Sequence, residues 1–395
     1  MGLDVCFITG QFYPSFGGVG VHTYELAKAI VGQGHEVKVI TPLIGSQRES
    51  EELQGIDVTR LKLSSLPLST ILYYREAAKE AERAGMSQGF DVVHGQWLGC
   101  LFTKRENFPD SALVQTLHGT WLGEREGLRG AELRLSGDAW TYQYFWPIFA
   151  YAERRACENA HQVIAVSEQN RFEAVKYYSL NEDRVSVIPN GVDVNRFNPN
   201  VDGREIRRRL GLQDKQVILF VGGLRDRKGI PYLMQAMKHV SKEVPDSYLV
   251  ICGEGSQRSS LEEMSRELGI SEYTVFTGEV PYEDLSKYYA ACDLFVLPSN
   301  YEAQGIVLLE AMSSQRAVVA TRVGGIPETL GSDAGILVPP RDPLTLAQAM
   351  LTLLKDPELR LRMGRAGRKR ASSFDWRRIA SKTIELYKQC MKTAE

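Results

Sequence analysis

Val217-Ile218-Leu219-Phe220-Val221-Gly222 is an unbroken apolar run, and Gly223-Leu224-Arg225-Asp226-Arg227-Lys228-Gly229 follows it directly. A strand with one wet face alternates apolar and polar residues. A run without alternation suits a parallel strand covered on both faces. The same pattern recurs along the chain. Strand-like runs are read at Leu3–Thr9, Glu36–Thr41, Asp91–His94, Ala112–His118, Gln162–Ser167 and Val185–Pro189. They return at Val217–Gly222, Ser247–Cys252, Thr274–Thr277, Leu294–Pro298 and Ala317–Thr321, with amphipathic helix-like stretches between them. Alternating β and α elements imply doubly wound α/β layers.

A chain of 395 residues is too long for one ordinary core, so two such layers in series are expected. The junction is readable near Ile188-Pro189-Asn190-Gly191-Val192-Asp193, where an Asn-Gly turn ends a strand and Pro199 blocks any helix. Short irregular stretches of this kind serve as hinges. The expected domains are 1–195 and 196–375, each a Rossmann-like sheet. The composition, 43% hydrophobic and 24% charged, is that of an ordinary globular protein. A net charge of -2 offers no electrostatic reason to expect nucleic acid as a partner. Cys6, Cys100, Cys157, Cys252, Cys292 and Cys390 form no C-x-x-C pair, which argues against a zinc site and a disulfide scaffold. No apolar run reaches the roughly 18 residues of a membrane span, and the first strand begins where a signal peptide would need a basic region. Cys6 stands where a myristoylation signal needs Ser or Thr. The expectation is a cytoplasmic protein. Peripheral contact with the inner membrane face, and the oligomeric state, stay open.

Open α/β sheets bind ligands beyond the carboxyl ends of their strands. Two sheets with facing carboxyl ends would share one cleft. Phe16-Gly17-Gly18-Val19-Gly20 follows the first strand and precedes a helix. Its glycines let backbone approach a ligand closely, and the helix N-terminus favours an anion. The pattern is not G-x-G-x-x-G and does not point to a dinucleotide. A plain tight βα turn is the alternative. Arg225, Arg227 and Lys228 put three cations in four positions directly before a helix. There they oppose the macrodipole unless an anion such as a diphosphate lies between. A solvated basic turn is the alternative.

Pro298-Ser299-Asn300-Tyr301-Glu302-Ala303-Gln304-Gly305-Ile306-Val307-Leu308-Leu309-Glu310-Ala311-Met312 carries the most chemistry. A helix is expected to begin near Gly305, leaving the amides of Gly305, Ile306 and Val307 for phosphate. Glu310 is a carboxylate among Leu309, Ala311 and Met312, costly to bury without a donor such as a ribose hydroxyl. A solvent-facing Glu310, or one paired with an arginine, is the alternative. Thr116-Leu117-His118-Gly119-Thr120 ends another strand, where His118 suits a sugar hydroxyl or the backbone. His94 ends Asp91-Val92-Val93-His94 with a weaker claim. His22, His35, His161 and His239 read as structural or surface residues. The aromatics of Trp140 to Tyr151 suit an acceptor pocket, an interfacial patch or core packing. The cations of Arg360 to Arg370 read as a solvated helical face rather than a lipid contact.

Glu302, seven residues, Glu310, then Ala-Met resembles the signature of glycosyltransferase family 4. So do Phe276-Thr277-Gly278-Glu279-Val280, Ala291-Cys292-Asp293-Leu294-Phe295-Val296-Leu297-Pro298-Ser299 and Ala320-Thr321-Arg322-Val323-Gly324-Gly325-Ile326-Pro327-Glu328. Gly17-Gly18, Val166-Ser167 and Ile188-Pro189-Asn190-Gly191-Val192-Asp193 in the first half are similar as well. The resemblance implies a GT-B fold, a nucleotide-sugar donor with UDP or GDP, retention of anomeric configuration, and no metal or other cofactor. It assigns Lys228 to the donor diphosphate, Glu310 to the ribose and the backbone near Val280 to the base. Glu302, Gly305, Ile306 and Val307 go to the donor sugar and phosphates. Gly17 and Gly18 go to the diphosphate and His118 to the acceptor side. The acceptor class is a sugar, a lipid-linked sugar or a small molecule. Phe374-Asp375-Trp376 onward looks like the family's terminal helix, so 376–395 is expected to cross back to the first domain.

Two positions depart from the family. Gly223 stands where an arginine is usual, so Arg225 or Arg227 is expected to complete the clamp with Lys228. Ala303-Gln304 replaces a small residue plus Phe and alters the sugar pocket. The expected reaction is hexosyl transfer, with the acceptor attacking on the face the diphosphate leaves and Glu302 orienting the sugar. Charge on the leaving group is met by Lys228, an arginine and the helix N-terminus, with no glycosidase-style carboxylate pair. A sugar-nucleotide epimerase or a non-catalytic nucleotide-sugar-binding subunit are the alternatives.

Overall fold

The computed structural model describes residues 2–14, 17–45, 47–63, 69–129 and 145–394. Phe16 of the glycine loop and Trp140, Tyr142 and Tyr144 of the aromatic stretch lie outside the described residues. The chain groups into two compact units. One comprises Met1–Leu122, Trp146–Gly191 and Trp376–Glu395, the other Gly123–Phe145 and Val192–Asp375.

In the first unit the elements run β1 (Asp4–Ile8), α1 (Gly18–Val31), β2 (Glu36–Leu43), β3 (Ser50–Leu53), β4 (Ile56–Lys62), α2 (Ser69–Gln88), β5 (Val92–Gln96) and β6 (Ala112–Leu117). Then follow α3 (Trp121–Leu128), whose residues from Gly123 belong to the second unit, α4 (Trp146–Asn159), β7 (Gln162–Ala165), α5 (Glu168–Tyr178) and β8 (Val185–Val187). The strand order is β3-β4-β2-β1-β5-β6-β7-β8. Pairing is parallel except for the β3–β4 hairpin. The pleat of β1 sends Val5 and Phe7 into one core and Cys6 and Ile8 into the other. Both faces are dry, which is why the run reads apolar throughout. The β3–β4 hairpin was not among the expected strands. Its signals are the alternation of Ile56-Asp57-Val58-Thr59 and the turn at Gln54-Gly55, where both residues take positive φ of 52° and 79°.

The second unit contains α6 (Arg204–Leu210), β9 (Gln216–Val221), α7 (Ile230–Glu243), β10 (Ser247–Cys252), α8 (Arg258–Glu267), β11 (Thr274–Gly278), α9 (Leu285–Ala291) and β12 (Leu294–Leu297). It continues with α10 (Ile306–Ser313), β13 (Ala317–Thr321), α11 (Ile326–Leu330), β14 (Gly335–Val338), α12 (Pro343–Lys355) and α13 (Pro357–Ala371). The order is β11-β10-β9-β12-β13-β14, all parallel. Counted within the unit this is 3-2-1-4-5-6, the doubly wound order with its switch point between β9 and β12. β14 was also unexpected; its four residues are too short to stand out.

On α13, Arg362, Arg365, Lys369 and Arg370 are exposed, as a solvated face requires, but three arginines of the run also bond to neighbouring carbonyls. Arg368 donates to the carbonyls of Val194, Phe197 and Ser313, Arg370 to those of Thr329 and Glu328, and Arg360 to those of Leu353 and Leu354. These guanidinium groups supply donors to carbonyls near the ends of α10, α11 and α12 and in the loop that holds Val194 and Phe197. The final helix, α14 (Trp376–Ala394), belongs to the first unit. Trp376, Ile379, Ile384 and Tyr387 pack into the core with Phe7, Leu26 and Ile30. Among the described residues no helix is long and apolar enough to cross a membrane. All six cysteines are buried and free.

The Tyr387 hydroxyl meets Nδ1 of the fully buried His94 at 2.5 Å, across 293 positions of sequence. Tyr387→Phe leaves that nitrogen without this partner, and unpaired buried polar groups cost about 1–3 kcal/mol. A drop of that size in denaturant unfolding is expected. No change would show that α14 is not bonded into the first unit.

Candidate functional site

The chain leaves β9 toward β10 and leaves β12 toward β13, on opposite sides of the sheet. The two loops part at the switch point, the place where doubly wound sheets hold ligands. Both loops that the sequence singled out lie here. After β9, Asp226–Lys228 makes one turn of 3-10 helix and Gly229 ends it with φ 63°. A side chain at Gly229 would put its Cβ 2.1 Å from the Pro298 carbonyl oxygen, so glycine lets the turn pack on the end of β12. Lys228 is thereby carried against Glu302, its Nζ donating to Oε2 at 2.5 Å, and both residues are buried.

The loop after β12 is fixed from several sides. The Asn300 amide donates to the Arg227 carbonyl at 2.8 Å and Asn300 Nδ2 to the Asp226 carbonyl at 2.9 Å. The Gly325 amide donates to the Glu302 carbonyl at 3.1 Å. Gly324, with φ 51°, packs so closely that a Cβ would lie 1.7 Å from that same carbonyl oxygen. The backbone at Glu302 is therefore fixed, and the carboxylate is held in turn by Lys228.

Charge within this frame is arranged in opposition. Burial raises the cost of ionising Glu302, yet Lys228 and Arg227 outweigh it and hold the carboxyl below its ordinary value of 4.5. Burial acts most strongly on Lys228 and lowers its ammonium, with Glu302 pulling back only in part. Arg227 Nη1 lies 3.8 Å from Glu302 Oε1, whereas Arg225 is exposed. Of the two arginines proposed to stand in for Gly223, Arg227 is the one placed beside the Lys228–Glu302 pair.

Gly305 takes φ 90° and caps α10, so the amides of Ile306 and Val307 open the helix as expected, beside the half-exposed surface of those two residues. Glu310 is buried, which removes the solvent-facing alternative. The Tyr289 hydroxyl donates to its Oε2 at 2.7 Å. Burial, and then the Glu310 charge, raise that phenol well above its ordinary value, so it stays a donor. Tyr289 was not a sequence candidate. It lies 21 residues upstream on another helix, and no spacing rule joins the two. Val280 follows β11 in a partly exposed loop. Ala303 and Gln304, the second departure, are both buried.

In the first unit, a Cβ added to Gly18 would meet nothing within 4 Å, while one at Gly17 would strike Gln11 Oε1 at 2.5 Å. His118 Nε2 pairs with Gln96 Oε1 at 2.7 Å. Its ring sits 4.6 Å from that of His22, which pairs with Asn190 Oδ1 at 2.7 Å. Burial, then the neighbouring histidines, hold His118 well below the usual histidine range, and burial brings His22 down to about 4. Both are neutral imidazoles. His22 is structural as read, but it is also part of the setting of His118. His94 has both ring nitrogens engaged inside the core, with Tyr387 and Thr116. Among the described residues no group of three or more His, Cys, Asp or Glu is placed to hold a metal.

Two parallel-sheet α/β units, one with its charged loops at a doubly wound switch point, define a GT-B glycosyltransferase fold. Residues 16–196 match the family model described as Glycosyltransferase Family 4, and residues 202–370 match Glycosyl transferases group 1. An uncharacterized glycosyltransferase of Methanocaldococcus jannaschii is 32% identical over 403 residues, covering 99% of both chains. A GDP-mannose-dependent alpha-(1-6)-phosphatidylinositol monomannoside mannosyltransferase of Mycolicibacterium smegmatis is 34% identical over 392 residues, 96% of this chain and 97% of that one. Among solved structures, sucrose-phosphate synthase from Thermosynechococcus elongatus aligns with TM-score 0.84 at 25% identity, covering 99% of this chain and 100% of that chain. The chain belongs to glycosyltransferase family 4, and it is a glycosyltransferase.

Removing one member of a buried ion pair strands the other, at a cost of about 3 kcal/mol. Lys228→Met and Glu302→Leu should each lower unfolding stability by about that amount, and the double variant by less than either. The lowered Glu302 pKa adds a pH signature. Its stabilisation is present above the ordinary value of 4.5 and is lost as pH falls through the lower value in the fold. Glu302→Gln should lack that part of the acid titration. Additive losses, or an unchanged acid limb, would contradict the pairing.

Proposed function

We propose that this glycosyltransferase is a retaining hexosyltransferase that takes its sugar from a UDP- or GDP-sugar and passes it to an acceptor hydroxyl. One observation carries the reading: Lys228 and Arg227 meet the Glu302 carboxylate where β9 and β12 part, three residues before Gly305 opens α10, the helix that carries the buried Glu310. Cations and free amides suit a diphosphate. A buried carboxylate suits ribose hydroxyls, which are donors. The GDP-mannose-dependent relative supports a donor of this kind.

In the proposed reaction the bond from the anomeric carbon to the diphosphate oxygen breaks as the acceptor oxygen bonds on the same face. The acceptor proton passes to the leaving phosphate oxygen. Lys228, Arg227 and the amides of Ile306 and Val307 stabilise the charge that builds on the leaving group. Glu302 orients the sugar and Glu310 holds the ribose. Tyr289 fixes Glu310, and the loop at Val280 meets the base. His118, neutral and held by Gln96, serves the acceptor. The acceptor class is a sugar, a lipid-linked sugar or a small molecule.

Calorimetric titration with UDP, GDP and ADP tests the reading. UDP or GDP is expected to bind wild type. Glu310→Ala and Lys228→Ala should each weaken that binding about 10- to 100-fold, the range for losing a charge-assisted bond. Affinity should fall as pH rises toward 10.5, earlier than an ordinary lysine would dictate, because the Lys228 ammonium is lowered. Unchanged affinity in both variants would remove the donor site from this place.

A further inference from the structure

Arg341 has φ 62°, a left-handed conformation that glycine adopts more readily than any other residue. Its guanidinium makes three contacts. Nη2 donates to the Gly127 carbonyl, Nη1 to the Arg129 carbonyl at 2.5 Å, and Nε to Asn300 Oδ1 at 3.3 Å. The first two acceptors lie at the end of α3, more than 210 positions away in sequence. Carbonyls at a helix end lack intrahelical donors, and a guanidinium there satisfies them. The third acceptor, Asn300, is the residue that ties the β12 loop to the Asp226–Lys228 turn.

The segment so held lies tight on the donor loops. A Cβ at Gly127 would fall 2.9 Å from Tyr301 Cβ and 3.0 Å from the Asn300 carbonyl oxygen. One turn earlier, Glu124 Oε1 sits 3.5 Å from Arg227 Nε, while Arg227 Nη1 faces Glu302 at 3.8 Å. Arg227 thus stands between two carboxylates. Neither Glu124 nor Arg341 stands in a sequence motif that marks it.

We infer that Arg341 is a positioning residue that clasps residues 123–129 onto the donor loops, and that Glu124 on this clasp opposes the donor diphosphate at Arg227. The inference rests on the donor-site reading above. A diphosphate that uses Arg227 shares its guanidinium with Glu124 and meets that carboxylate's opposing charge, so the clasp sets nucleotide affinity from outside the phosphate contacts themselves. Held in place, Glu124 weakens the grip on the nucleoside diphosphate, the product of transfer as well as a part of the donor. The clasp therefore favours release.

Two measurements on the full chain test this. Hydrogen exchange of residues 123–129, without nucleotide, compares wild type with Arg341→Gly. Glycine suits the left-handed conformation, so the melting temperature should hold while exchange in this segment speeds up. Calorimetry with UDP or GDP, whichever binds wild type, then compares Arg341→Gly, Glu124→Gln and the double variant. Each single change should tighten binding about three- to fivefold, as for loss of a partly exposed opposing charge, and the double change should add nothing further. The gain should shrink in high salt. Unchanged exchange in Arg341→Gly overturns the clasp. Faster exchange with unchanged affinity in both single variants overturns the role of Glu124, as does weaker binding in Glu124→Gln. Failure of wild type to bind any nucleoside diphosphate sinks the donor-site reading instead, and the exchange comparison still decides the clasp. Glu124→Gln leaves the left-handed turn untouched and answers even if Arg341→Gly does not fold.

Discussion

A lysine and a glutamate buried together at the switch point of a parallel sheet are the constraint from which the rest of the second unit follows. Neither charge is tolerable alone in such a place. Together they require the β9 loop and the β12 loop to meet within one hydrogen bond, and every local device serves that meeting. Gly229 removes the side chain that would hold the turn away from Pro298, and Gly324 does the same beneath Glu302. Asn300 laces the two loops through backbone carbonyls. Buried ion pairs of this kind contribute little net stability. Their value lies in fixing a charge at a defined point, and a charge fixed at the opening of α10 is chemically useful.

The proposed chemistry follows from what that arrangement lacks as much as from what it has. Glu302 is engaged with Lys228, so it is a poor candidate for a free nucleophile. Lys228 has its pKa lowered by burial and is only partly compensated, which leaves it responsive to a stronger anion. A diphosphate is such an anion. It would draw the ammonium from Glu302 and leave the carboxylate to accept from sugar hydroxyls. One exchange of partners would then couple donor binding to orientation of the sugar. Arg341 and Glu124 add a second competition of the same kind at Arg227.

Much of this was legible in the sequence because parallel strands covered on both faces write themselves as apolar runs. Val217 to Gly222 and Leu294 to Pro298 locate the switch-point strands, and the charged loops behind them mark the candidate site. The β3–β4 hairpin was missed because its residues are mostly polar and its cues are one short alternating stretch and a single Gln-Gly turn. Tyr289, Asn300 and Arg341 were invisible for another reason. Each acts through a contact made by tertiary packing, and none stands in a motif whose spacing demands it. The charge run of α13 reads as a solvated face, and Arg362, Arg365, Lys369 and Arg370 are exposed, but the carbonyls that Arg368 and Arg370 reach come from tertiary packing and are not legible. The resemblance to the family supplied roles for Lys228 and Glu310. It did not predict that Arg227 rather than Arg225 would join the pair.

The most direct test of the account is a crystal structure of the protein with the nucleoside diphosphate it binds. The account predicts phosphate oxygens within hydrogen-bond distance of Lys228 Nζ and the amides of Ile306 and Val307, with the ribose on Glu310 and the Lys228–Glu302 contact lengthened. A nucleotide bound elsewhere, with that pair unchanged, would contradict it.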